Sequence, residues 1–176
     1  MQNKVLRIAG IIGESIVDGP GIRFVVFTQG CPHHCPGCHN PQTHAFDGGE
    51  LVDIDKLAKK ILEDPLVSGV TFSGGEPFCQ AEALAELAKE LRAHGKHIMT
   101  YTGYTWEQLQ ELEDPAVHTL LSYTDILVDG RFVEAERDLS LRFRGSRNQR
   151  LLDVQKSLRK MCPIETDCEK PTDVII

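Results

Sequence analysis

The sequence predicts an α/β fold, an incomplete (β/α) barrel of about five to six parallel strands with helices outside. Three observations lead there. Short β-branched and aromatic runs alternate with segments whose apolar residues recur at helical spacing, the pattern of βαβ units and a mostly parallel sheet. A full eight-unit barrel takes about 250 residues, whereas this chain has 176. With 41% hydrophobic and 26% charged residues, the composition is that of an ordinary globular protein. One domain of this length buries roughly two-thirds of the surface its unfolded chain would expose.

The elements follow in order. Ile22 to Thr28 is β-branched and aromatic between Gly19-Pro20-Gly21 and Gly30, which reads as a buried strand. Ile54, Leu57, Ala58, Ile61 and Leu62 make the one-sided stripe of a helix capped by Asp53, with Pro65 beyond its end. Gly69 to Ser73 is a second strand, followed by Gly74-Gly75-Glu76-Pro77 and a helix carrying Leu84, Leu87, Ala88 and Leu91. Gly95 suits that helix's C-terminus. His97 to Tyr101 is a third strand, and Thr105-Trp106-Glu107-Gln108 has capping-box spacing ahead of Leu109 and Leu112. After an apolar stretch from Val117 to Leu121, Asp125 to Asp129 forms a fourth strand and Leu151 to Val154 a last one. Residues 1–155 are assigned to the domain and 156–176, polar and proline-interrupted, to a mobile tail. The loops that follow the parallel strands share one edge, where open α/β sheets bind ligands.

Several classes are excluded. Lys+Arg 19 against Asp+Glu 26 gives a net charge of -7 without a basic run, so nucleic acid is not expected as a partner. There is no run of 18 apolar residues, and the first 15 residues lack the form of a signal peptide. A cytoplasmic protein with no membrane partner is expected. In that setting six cysteines point to metal or redox chemistry rather than to disulfides.

Cys31, Cys35 and Cys38 lie within eight residues on a loop whose Gly and Pro allow sharp turns. A structural or electron-transfer [4Fe-4S] site takes four thiolates. Three would leave one iron open to a small molecule. Zinc is the alternative for the loop alone, with His33, His34 or His39 as the fourth ligand. The second motif is Ser73-Gly74-Gly75-Glu76-Pro77. Its paired glycines let backbone approach a ligand, and Glu76 can balance a cationic amine. Alone it is a weak signal, since a Gly-Gly turn after a strand is more often only a turn.

The two motifs in this order resemble the radical S-adenosylmethionine superfamily. Val17-Asp18-Gly19-Pro20-Gly21-Ile22-Arg23 and Cys38-His39-Asn40-Pro41 resemble the enzymes within it that install glycyl radicals. Thr102-Gly103-Tyr104, Leu127 to Phe132 and Arg144-Gly145-Ser146-Arg147-Asn148-Gln149-Arg150 are similar to one branch, the activating proteins of anaerobic ribonucleoside-triphosphate reductase. The likeness covers roughly residues 5 to 155, and its final segment discriminates most.

The resemblance implies an oxidoreductase with a [4Fe-4S] cluster on Cys31, Cys35 and Cys38 and S-adenosyl-L-methionine on Gly37, Cys38, His39, Gly74, Gly75 and Glu76. Gly37 departs from the superfamily, where an aromatic residue often precedes the third cysteine; His39 can serve in its place. No side chain is needed as acid or base. The implied partners are the large glycyl radical subunit of the reductase and a low-potential electron donor. A pyruvate formate-lyase activator and a non-catalytic iron-sulfur or zinc module are the alternatives.

The remaining candidates have plainer readings. Cys79 is read as a small buried hydrophobe, and Cys162 and Cys168 as exposed thiols. Asp18 is read as fixing the Gly-Pro-Gly turn and Asp129 as bonding a following turn. His44, His94, His97 and His118 have no evident partners, while Tyr101 and Thr102 can line a pocket by position.

Overall fold

The computed structural model describes residues 4–168. Seven strands, β1 (Val5–Ser15), β2 (Arg23–Thr28), β3 (Glu50–Asp53), β4 (Gly69–Gly74), β5 (His97–Tyr101), β6 (Ile126–Asp129) and β7 (Arg150–Asp153), form one sheet in the order β3-β1-β2-β4-β5-β6-β7. The neighbours β2, β4, β5 and β6 are parallel. β1 is antiparallel to both β2 and β3, and β7 is antiparallel to β6. Five strands (β2 to β6) therefore share one direction, as an incomplete barrel requires, while β1 and β7 run against them. The carboxyl ends of β2, β4, β5 and β6 open onto one edge.

Helices α1 (Ile54–Leu62), α2 (Ala81–Ala93), α3 (Trp106–Glu111), α4 (Pro115–Tyr123) and α5 (Val154–Lys160) complete the regular structure. Their starts are chemically marked. Asp53 accepts from the Lys56 amide at 2.9 Å, Asp114 from the Ala116 amide at 2.9 Å and Asp153 from the Lys156 amide at 2.9 Å. Thr105 and Gln108 form the expected capping box. Gly95, at φ +77°, stands just past the end of α2.

Strand alternation divides the sheet into two faces. Phe24, Val26, Val70, Phe72, Ile98 and Leu127 point to the helices, where they join Leu57, Leu84, Leu87, Leu120 and Leu121 in the main core. The other face carries Met99, Ile126, Val128 and Leu151, packed with Tyr101, Phe143 and Cys168. A bulge between Ile8 and Gly10 shifts the register of β1. Beyond it Ile11 packs on the helix-side core and Ile12 lines a cavity on the other face.

Residues read as the beginning of a loose tail are partly structured. α5 crosses the expected boundary at 155, and an isolated bridge joins Glu165 to Leu152. Val154 begins the helix instead of ending the last strand, because Asp153 caps it and Val154 and Ser157 are buried. Residues 169–176 of that expected tail lie outside the described residues. No described helix is long and apolar enough to cross a membrane.

Candidate active site

A cavity of about 720 Å³ opens at the carboxyl edge of the parallel strands. Cys31, Cys35, Cys38 and His39 line it from the loop after β2, and Gly74 and Gly75 from the end of β4. Tyr101 ends β5 and Thr102 and Gly103 follow it, while Gly130 and Phe132 follow β6. Motifs distant in sequence thus meet because parallel strands place their following loops on one edge.

The cysteine loop is tied at its base. Gly30 N donates to Thr43 O at 2.7 Å and Cys31 N to His44 O at 3.1 Å. The Gln29 side-chain amide donates to Gln42 O at 3.1 Å and Ala45 O at 2.6 Å. The loop is also tied to the next strand, as Gly75 N donates to Thr28 O and Glu76 N to Gly30 O, each at 2.8 Å. Close approach explains the two glycines: a Cβ on Gly74, at φ +91°, would fall 2.6 Å from Thr28 N, and one on Gly75 would strike the Gly30 carbonyl. Burial pushes the Cys31 thiol up, and the backbone amides of His33 and His34 act in the opposite direction. Asn40 N donates to Cys38 Sγ at 3.4 Å. Such N–H···S contacts tune the potential of a bound cluster.

Two of the sequence-selected residues stand apart from the cavity wall. Gly37 is one; it holds φ +74°, and a Cβ there would meet the Glu134 carboxylate at 2.9 Å. The other is Glu76, which is fully buried. Its Oε1 accepts from Phe78 N at 3.0 Å and Thr102 Oγ1 at 2.9 Å, and its Oε2 from Gly103 N at 2.8 Å. His33 Nε2 lies 2.6 Å from the same Oε2. These partners come from the turn after β4, the loop after β5 and the cysteine loop. In this geometry the carboxylate ties the cysteine loop to the loop after β5.

Several site residues escaped the sequence reading. Asp18 lines the cavity as well as accepting from Ser15 Oγ at 2.5 Å. Thr71 Oγ1 donates to the Asp18 carbonyl at 2.7 Å, and Arg23 Nη1 to the Pro20 carbonyl at 3.3 Å, fixing that turn from beneath. His44 and Arg144 also line the cavity, and His44 Nε2 and Arg144 Nε are buried without a partner among the described residues. No spacing rule marks either residue. Tyr101 and Thr102 are where their positions suggested, and burial pushes the Tyr101 hydroxyl well above its usual range. Asp129 is structural: it accepts from Trp106 N at 2.8 Å and pairs with Arg150 at 2.5 Å. His97 has a partner after all, accepting from Arg23 Nη1 at 3.0 Å.

Outside the site, Cys79 is exposed instead of packed in the core, and Cys162 is exposed. Cys168 is part-buried against the inner-face cluster, contrary to its reading as an exposed thiol.

The donor set fits a cluster better than zinc. The candidate fourth ligands are engaged elsewhere: His33 with Glu76, His34 edge-on to His44 at 5.0 Å, and His39 against Phe132 at 5.1 Å. Among the described residues no three His, Cys, Asp or Glu side chains converge on one point as a single ion needs. A cluster takes each thiolate on a different iron. The bare glycine wall and the two unpartnered nitrogens leave room and polar contacts for a further molecule beside it.

Comparison with known proteins agrees. Residues 17–152 match the family model described as a 4Fe-4S single cluster domain. The chain is 37% identical over 142 residues to an anaerobic ribonucleoside-triphosphate reductase-activating protein of Vibrio cholerae, covering 76% of this chain and 89% of that one. It is 34% identical over 148 residues to the protein of that name from Escherichia coli K12, covering 76% and 90%. A pyruvate formate-lyase-activating enzyme of Clostridium pasteurianum is 39% identical over 135 residues, which span 73% of this chain but 53% of the relative. With matches that run nearly the full length of the first two relatives and a family-model match that takes in the cysteine loop, the chain belongs to the anaerobic ribonucleoside-triphosphate reductase-activating protein family and to the single-cluster [4Fe-4S] domain family.

Proposed function

We propose that this chain activates an anaerobic ribonucleoside-triphosphate reductase. When bound, the [4Fe-4S] cluster and S-adenosylmethionine supply a one-electron reductive cleavage whose 5'-deoxyadenosyl radical takes hydrogen from a glycine of the reductase, leaving methionine and 5'-deoxyadenosine. The observation that carries this reading is the meeting of three thiols and two bare glycines on one cavity. Cys31, Cys35 and Cys38 hold three irons and leave the fourth without a protein ligand. The backbone at Gly74 and Gly75 receives the methionyl end. His39, on the wall near Phe132, borders the adenine, while Arg144 and His44 offer their unpartnered nitrogens to polar groups of the cofactor. Glu76 and His33 keep the two loops in register and need not touch the cofactor. The protein's contribution is placement and exclusion of competing hydrogen donors, and the electron comes from a low-potential donor.

The test is electron paramagnetic resonance, without oxygen, on the reconstituted and reduced protein with S-adenosylmethionine and the host's reductase. A carbon-centred radical on the reductase, absent with Cys35→Ala, is the expected result. 5'-Deoxyadenosine formed without that radical would reject the reductase as substrate. The similarity to the Clostridium pasteurianum enzyme makes a pyruvate formate-lyase the second substrate to try in the same assay.

A further inference from the structure

The segment Arg144 to Arg150, the most discriminating in the sequence, is only partly used by the site just described. It builds the base of a hairpin. Arg137 and Ser146 form an antiparallel bridge, Asp138 N donates to Gly145 O at 3.2 Å, and Arg147 N donates to Glu136 O at 2.9 Å. Gln149 locks the base: its Oε1 accepts from Gly145 N at 2.9 Å and Ser146 N at 3.1 Å, and its Nε2 donates to Gly130 O at 3.1 Å. The Tyr101 hydroxyl donates to the carbonyl of Phe143, a non-glycine residue held at φ +63°. So many constraints on a surface hairpin give its tip a fixed position.

That tip stands at the cavity mouth. Leu139 and Leu141 line the cavity from the hairpin, and Val17 lines it from the turn after β1. Leu139 is 85% exposed, Ile16 77% and Val17 72%. Among the exposed large apolar side chains of the described residues only Met161, at 89%, is barer. Apolar residues gathered at a functional mouth mark a contact surface.

Charge selects the partner. The chain carries a net charge of -7, yet residues 139–149 hold Arg142, Arg144 and Arg147 and no acidic residue. Arg137 adds a further exposed charge. Arg137, Arg142 and Arg147 have no ion pair within 4.0 Å among the described residues, and Arg142 lies over the Phe143 ring at 5.0 Å. Of the three acids before the tip, Glu134 turns toward Gly37, Asp138 is occupied by the Ser140 amide and hydroxyl, and Glu136 is left as the acid set against the three exposed arginines.

We infer that this hairpin is the docking element for the protein substrate, and that it takes an acidic segment of that protein beside an apolar side chain covering Leu139 and Val17. The inference rests on the activating role proposed above and assigns the surface that selects the partner. Charge complementarity at an interface rim governs encounter and its salt dependence.

The test measures the Kd of the cluster-loaded protein for the intact reductase, without oxygen, at low and high salt. Arg137→Glu, Arg142→Glu and Arg147→Glu together are expected to weaken binding about tenfold and to flatten its salt dependence. The triple Gln variant places no like charge beside Asp138 and is expected to move in the same direction by a smaller factor. Lys59→Glu, Lys60→Glu and Lys89→Glu together change the charge equally on the helical face and are expected to leave Kd unaltered. 5'-Deoxyadenosine formed without the reductase reports that each variant is folded and loaded. Equal binding by the wild type and both hairpin variants, including no binding by any, overturns the inference. So does an equal loss in the lysine variant. Whether a radical appears on the reductase is read separately and tests only the activating role.

Discussion

Glu76 illustrates how far the residue scale extends beyond sequence spacing. Its motif was legible, and the turn it occupies is where expected, but its four partners come from Phe78, Thr102, Gly103 and His33. Three of these are 26 to 43 positions away, too far along the chain for spacing to reveal them. The cysteines were the opposite case, since their spacing alone defined a compact donor set. Removing the Glu76 carboxylate strands several buried donors, and Glu76→Ala is therefore expected to cost about 3–5 kcal/mol. Glu76→Gln keeps the shape but turns an N–H group toward other donors, for an expected loss of about 1–3 kcal/mol. Denaturant midpoints measure both. Because Cys31, Cys35 and Cys38 remain in place, iron binding should persist in the Gln variant, and its loss there would show that the Glu76 clamp shapes the cluster loop itself.

At the scale of elements, whatever is encoded locally was legible. The stripe of α1, the Gly after α2 and the capping box of α3 each depend on residues within a few positions of one another. Both bonds of that box are present, Gln108 N to Thr105 Oγ1 at 3.2 Å and Thr105 N to Gln108 Oε1 at 2.9 Å. Thr105→Ala is expected to destabilise the protein by about 1 kcal/mol, read as a shift in denaturant midpoint with unchanged slope, and no shift would show that packing of Trp106 and Leu109 alone holds α3. Strands whose only support is a distant partner were missed. β3 has four residues and pairs with β1, and β1 contains Gly10 and Gly13, carries a register shift and leaves half its length facing outward. The hairpin after β6 has no apolar period, because side-chain amides and hydroxyls instead of a core hold its base. α5 was hidden in polar sequence that its Asp153 cap and two buried side chains organise.

For the whole molecule, the sheet separates a helix-packed core from a face that must remain open for chemistry, and that division leaves an unusual cation beneath the site. Arg23 is 1% exposed with no carboxylate bonded to it. It donates to Thr71 Oγ1, to the carbonyls of Pro20, Val70 and His97, and to His97 Nδ1, and burial lowers its pKa to about 10, so it stays charged at neutral pH. His97 can accept that bond only while its Nδ1 is unprotonated. Desolvation first, then the Arg23 charge and Arg92, lower its pKa to about 4, against an opposing pull from Asp125. A folded-state pKa below the unfolded value of 6.5 means that the unfolded chain takes up the proton first as the solution is acidified. The contribution of neutral His97 is therefore complete above pH 6.5 and is lost as pH falls toward 4. Its size is up to about 3 kcal/mol. His97→Gln can still accept from Arg23 but does not titrate, so the variant should lose less stability than the wild type between those two pH values. Parallel loss in denaturant midpoint for the two proteins would assign the acid sensitivity to other groups and leave the Arg23–His97 contact as packing alone.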